Sequence, residues 1–130
     1  MNSPAVDIME YLQSGGVGTI GSSSGWSLNS SREPATPDTT VTLYDGVGSG
    51  NDYEINLHSP SIQIRARGNN YRVVYAKMDE IESYLLSTES FTVGSTRYVG
   101  AWNPGGIELI GYDENDRAII VMNINLMREA

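Results

Sequence analysis

Between Ser61 and Ser87 the apolar period of the chain changes from two residues to about 3.6, and this change restricts the fold more than any other feature. Ile62, Ile64 and Ala66 face one way along a strand, and Arg65 and Arg67 face the other. Gly68 stops the strand. Asn69 or Asn70 then supplies an N-cap for a helix predicted to run to about Ser87. Tyr71, Val74, Tyr75, Met78, Ile81 and Leu85 form its apolar face, and Arg72, Lys77, Glu80 and Glu82 its solvated one. A strand apolar on one face, followed directly by an amphipathic helix, buries both stripes by packing the helix on a sheet.

The rest of the chain extends this arrangement. Ser3, Pro4 and the spacing of Ala5, Ile8, Met9 and Leu12 predict a short first helix, ended by Gly15 and Gly16. Composition makes Gly15 to Gly25 a loop. Trp26–Asn29 and Thr40–Tyr44 alternate as strands, while Pro34 and Pro37 keep Arg32–Asp38 irregular. Asp45 to Asp52 reads as a flexible loop. Phe91–Val93 and Arg97–Val99 flank Gly94-Ser95 as a hairpin. Ile107–Tyr112 is a strand after the turn at Asn103–Gly106, Asp113–Asp116 is a polar turn, and Arg117–Arg128 is a long final strand. The order is helix, strands, helix, strands. It predicts a single α+β domain over residues 1–130, with two helices packed on a mainly antiparallel twisted sheet.

Charge and composition narrow the function. Sixteen acidic against eight basic side chains give a formal net charge of −8, which disfavours adsorption to a phosphate backbone. With no cysteine, disulfide frameworks and thiolate chemistry are excluded. The start of the chain has no basic region leading into an apolar run, so no secretory signal is expected, and no stretch is long and apolar enough for a membrane span.

Motifs for catalysis or cofactors fail on context. Gly16-Val17-Gly18-Thr19-Ile20-Gly21 matches the dinucleotide fingerprint in letters, but a helix precedes it and a strand follows, the reverse of what that motif requires. Asp113, Asn115 and Asp116 lack the glycine and the bidentate glutamate of a calcium loop, so they read as a turn. His58 is the only histidine and has no nucleophile signature near it. Asp79, Glu80 and Glu82 belong to a solvated helix face. No enzyme, metal or cofactor is expected.

Arg65 and Arg67 stand out, sharing one strand face in a chain poor in basic residues. They pair within the chain or mark a contact between subunits, where arginine is enriched. Tyr98 and Trp102 are candidates for the same patch, and either fits the core equally well. Asp45 and Tyr53 bound a segment with three glycines among nine residues, expected to be mobile alone and to order against a partner.

Taken in order, Val6-Asp7-Ile8, Arg32-Glu33-Pro34, Val41–Asp45, Ile62–Gly68, Tyr75-Ala76-Lys77, Arg97–Gly100 and Gly111–Arg117 resemble the tail terminator proteins of long-tailed phages. The resemblance spans nearly the whole chain; the Gly/Ser loop from Gly15 to Gly25 matches it least. It implies a fold similar to that of the phage lambda tail terminator and assembly as a homohexameric ring in the neck of the virion. It also implies two partners, the tail tube protein and the head-tail connector protein, with phage DNA passing through the lumen without specific binding. Synthesis in the host cytoplasm would precede assembly. The alternatives are another neck component, such as a connector or stopper ring, a small ligand-binding module, or a small carbohydrate-cleaving enzyme. Partner binding, oligomeric mass and an acid-base pair in a cleft separate them.

Overall fold

The computed structural model describes residues 1–46, 48, 50–52, 56–87 and 90–129. The first helix, α1, spans Pro4–Ser14. Ser3 caps it by accepting a hydrogen bond from the Val6 amide, and Ala5, Ile8, Met9 and Leu12 are buried. Strands β1 (Thr19–Ile20), β2 (Ser27–Ser30) and β3 (Thr40–Asp45) follow, then β4 (Gly50–Asp52), β5 (Leu57–Ser59) and β6 (Ser61–Gly68). The second helix, α2 (Tyr71–Leu86), is capped by Asn70, whose side chain accepts from the Arg72 amide. Strands β7 (Phe91–Val93), β8 (Thr96–Trp102), β9 (Glu108–Tyr112) and β10 (Ala118–Glu129) complete the chain.

The α+β class stands, but the sheet is mixed and curls into a half-barrel; it is not a mainly antiparallel twisted layer. The pairs β1–β2 and β2–β3 are parallel; between β2 and β3 the chain returns over the sheet through the Arg32–Asp38 segment and re-enters in the same direction. The remaining pairs are antiparallel. The spine is β10, which runs beside β6 on one edge and is shared between β9 and β8 on the other. Both of those partners are bulged against it, with Val99 in β8 and Ile110 in β9 as the extra residues, and bulges raise the local twist of the sheet.

Both helices cover one face of the sheet. On β6, Ile62, Ile64 and Ala66 point to them, as do Val41 and Leu43 of β3 and Ile120, Met122 and Ile124 of β10. From α2 the buried stripe is Val74, Met78, Ile81 and Leu85. Tyr71 and Tyr75, expected in that stripe, are exposed at its edge. The Lys77 ammonium reaches the Val17 carbonyl at 2.9 Å, its stem lying along the protein rather than in solvent. Rings of Tyr84, Tyr11, Phe91 and Tyr98 stack in a column, with neighbouring centroids 4.7, 4.1 and 5.1 Å apart. That column ties α2, α1, β7 and β8 together.

Three local expectations change. The Gly/Ser segment contains β1, so Ile20 lies beside Leu28 and the loop is partly sheet. Gly50–Asp52 and Leu57–Ser59 form a strand pair where a loop was expected, and His58 sits in β5 opposite Arg128. These strands are three residues long, too short for a period to show in sequence.

Candidate functional site

The face of the sheet away from the helices is closed by the irregular segment from Ser31 to Thr39, which lies across it as a strap. Its two prolines exclude regular structure, and the Thr36–Pro37 bond is cis. Arginines from distant strands hold it. Arg67 of β6 is only 2% exposed; its guanidinium donates to the Pro37 carbonyl at 2.8 Å and reaches the carbonyls of Ala35 and Asp38 at 3.4 Å. Arg65 and Arg67 both pair with Glu33, at 3.0 and 3.2 Å.

Arg117, just before β10, donates to the Ala35 carbonyl at 2.8 Å, to Asp38 at 3.2 Å and to Asp113 at 2.8 Å. Asp113 also accepts from the amides of Asn115 and Arg117, so the turn expected there is built on this one carboxylate. Those backbone donors, with the guanidinium, hold the Asp113 carboxyl below its ordinary range. Asp38 is lowered as well, first by the amide of Asn69 at 2.8 Å and then by Arg117. Beneath the strap Thr40 and Thr42 are fully buried.

A second polar group lies inside the helix-covered core. The Tyr98 hydroxyl donates to Asp7 at 2.7 Å and accepts from Arg128 at 3.2 Å. Arg128 also donates to the Asn2 carbonyl at 3.0 Å and lies 3.6 Å from the Asp7 carboxylate. Burial, then the bond to Asp7, pushes the Tyr98 ionisation up from its usual value. The group joins the first helix to the last strand. A polar contact of this kind fixes register where apolar packing alone is less selective.

Among the described residues, no group of His, Asp and Glu side chains is arranged to hold a metal ion. The run Gly16–Gly21 connects the end of α1 to β1 and carries no strand-to-helix turn. Among the described residues, no helix is long and apolar enough to cross a membrane.

The family model of bacteriophage tail terminator proteins matches residues 11–129. The chain belongs to that family. It is accordingly a structural protein of the phage tail, carried in the virion. The same fold occurs in a chain from the virion of a native gene transfer agent particle, with a TM-score of 0.72 and 13% identity, covering 98% of this chain and 96% of that one. No curated protein sequence matches.

Three of the segments that resemble terminator proteins meet at the strap of this family member. Glu33 comes from Arg32-Glu33-Pro34, Arg65 and Arg67 from Ile62–Gly68, and Asp113 and Arg117 from Gly111–Arg117. Their shared task is internal. Of the residues the sequence offered for a contact, Arg67 is inside and fully engaged, and Tyr98 is completely buried in the core. Neither presents its side chain to a partner. Arg65 is partly exposed but paired, and Asp45 stands at the surface, where it accepts from the Ala5 amide at 2.9 Å at the start of α1. Trp102, at the end of β8, is exposed. Tyr53 lies outside the described residues.

The residues missed were Glu33 and Asp38 as strap anchors, Arg117 as their second holder, and Asp7 with Arg128 around Tyr98. None carried a signal: Asp7 is buried in the structure yet lies off the stripe that Ala5, Ile8, Met9 and Leu12 form on α1.

Proposed function

We propose that residues 1–130 act as one terminator domain that assembles into a ring on the end of the completed tail tube. Six copies of the chain make the ring. It stops addition of further tube protein and presents its other side to the head-tail connector protein, placing it in the neck of the virion. The mechanism is binding alone: one side of the ring complements the last tube layer, and the other offers a tube subunit nothing to add to. Phage DNA passes through the lumen, and the net charge of −8 favours its passage without adsorption. Membership of the terminator family over residues 11–129 carries this reading.

The subunit contact uses the open edges of the sheet, with Trp102 beside one of them. Tail tube protein polymerised with this chain should give tubes of bounded length, closed at one end by a ring in negative-stain images. Tubes that elongate as fast as in its absence, with bare ends, would overturn the proposal. Tubes left unbound, with the chain found on isolated connectors, would assign it to another neck layer.

A further inference from the structure

Among the described residues the curled sheet ends in β1, β4, β7 and β9, and two of these edges, β9 and β1, are unlike in character. Strand β9 pairs there with β10 alone. Its side chains are apolar and unusually bare: Leu109, Ile110 and Tyr112 are 40%, 52% and 55% exposed. A bulge in β9 leaves Ile110 without a partner across the ladder, because the consecutive Ile119 and Ile120 of β10 face Gly111 and Leu109. Monomeric proteins blunt an apolar free edge with charges, proline or a bulge; β9 has the bulge at Ile110 and the charge of Glu108, yet still leaves three large apolar side chains exposed.

The other edge is β1, which pairs with β2 alone among the described residues. Beside it opens a concave pocket of about 350 Å³, with Met9, Ile20, Leu28 and Pro34 as its apolar lining and Arg32 at its margin. The charges match. Arg32 and Arg72 are exposed and make no ion pair among the described residues, whereas the other six basic side chains are paired, and of the two only Arg32 lines this pocket. Glu108, which begins β9, is likewise exposed and without an ion pair among the described residues.

We infer that β9 of one copy seats on the β1–β2 edge of the next, with Leu109 and Ile110 in the pocket and Glu108 on Arg32. The inference rests on the ring proposed above and supplies its contact. A projecting surface and a receiving one on different sides of one chain make a head-to-tail contact, the kind that repeats around a ring. Two copies that each carry a charge of −8 repel at a distance, so the contact is apolar with one complementary ion pair at its margin. A tail tube subunit or a connector would have to match only one of these edges. A second copy of this chain matches both.

The test is a charge exchange. The wild type, Arg32→Glu and Glu108→Arg are compared by light scattering over a wide concentration range, with circular dichroism to verify folding. The wild type should self-associate, and each variant alone should need roughly tenfold or more concentration to do so, because every contact then opposes like charges. Mixing the two variants in equal amounts should restore association, since copies alternating around the ring recover an opposite pair at each contact. Folded variants that associate like the wild type, a mixture that does not recover, or a wild type monomeric throughout would each overturn this contact. Whether wild-type protein caps tail tubes is read separately, so the terminator reading stands or falls on its own result.

Discussion

The central strands β3, β6 and β10 are closed on their two faces by opposite means. Under the helices the closure is apolar and collective: Leu43, Ile64, Ile120 and Met122 meet α1 and α2 side chains, and each contributes through the area it removes from water. Under the strap the closure is polar and discrete. It depends on two buried guanidiniums, two carboxylates and a few carbonyls of a segment with no structure of its own. Apolar closure tolerates change at any one position better than directional closure does. A face held by few contacts can also be released without melting the other.

Alternate residues of one strand compare the two directly. Ile64→Ala should cost about 4 kcal/mol, because it removes a fully buried side chain and leaves a cavity under the helices. Arg67→Ala should cost about 3 kcal/mol, since it removes a buried guanidinium that satisfies the Pro37 and Asp38 carbonyls and shares Glu33 with Arg65 and the Ala35 carbonyl with Arg117. Urea unfolding measures both. The comparison breaks if Arg67→Ala costs less than about 1 kcal/mol, as an exposed pair would.

The same contrast explains what the sequence shows and what it hides. Ile62, Ile64 and Ala66, and the stripe from Val74 to Leu85, repeat at the period of their element, so the face they build is legible without any partner. Arg67 repeats at the same period as Arg65, yet its partners lie about thirty residues away in a segment without period. Nothing local distinguishes a guanidinium that closes a strap from one that faces a neighbouring subunit. Tyr98 illustrates the same limit: its hydroxyl marks it for the surface until Asp7 and Arg128 bring their charges inside. The parallel pairing of β2 with β3 was hidden too, because the strap's path over the sheet decides it and not any residue within those strands.

Arg117 tests whether the strap is one unit or two separate anchors. Arg117→Ala should cost about 2 kcal/mol, the range for hydrogen bonds to a charged group. It should also expose the bond after Arg32 to trypsin while the helices keep their amide protection. Equal loss of protection in α1 and in the strap would mean that the two faces unfold together.

Tyr98 carries the comparison into the core itself, as a polar contact on the apolar face. Tyr98→Phe should cost about 1.5 kcal/mol by removing the hydroxyl that donates to Asp7 and accepts from Arg128. The ionisation of this phenol is raised on folding, so the folded state holds the proton more tightly than the unfolded chain does. Its contribution is full below about pH 10 and is lost as the pH rises above that value. The wild type should therefore lose stability on the alkaline side more steeply than Tyr98→Phe. Parallel alkaline limbs in urea titrations of the two proteins would refute the assignment.

The smallest effect belongs to acid, and it should reach the strap first. Asp38 and Asp113 ionise more readily in the folded chain than their ordinary value of 3.8. Their contribution is complete above that pH and declines as the pH falls below it, when protonation weakens their hold on Arg117. Both carboxylates stand near solvent, so the loss is slight in global stability and visible mainly as local opening. Amide exchange compared at pH 6 and pH 3, corrected for its intrinsic pH dependence, should show residues of the strap losing protection while β6 and α2 retain theirs. Asp113→Asn should flatten that response, because an amide in place of the carboxylate has no proton to gain. If the strap stays protected at pH 3 in the unaltered chain, the buried contacts of Arg67 with the strap carbonyls hold it alone, and the Arg117 side is an accessory.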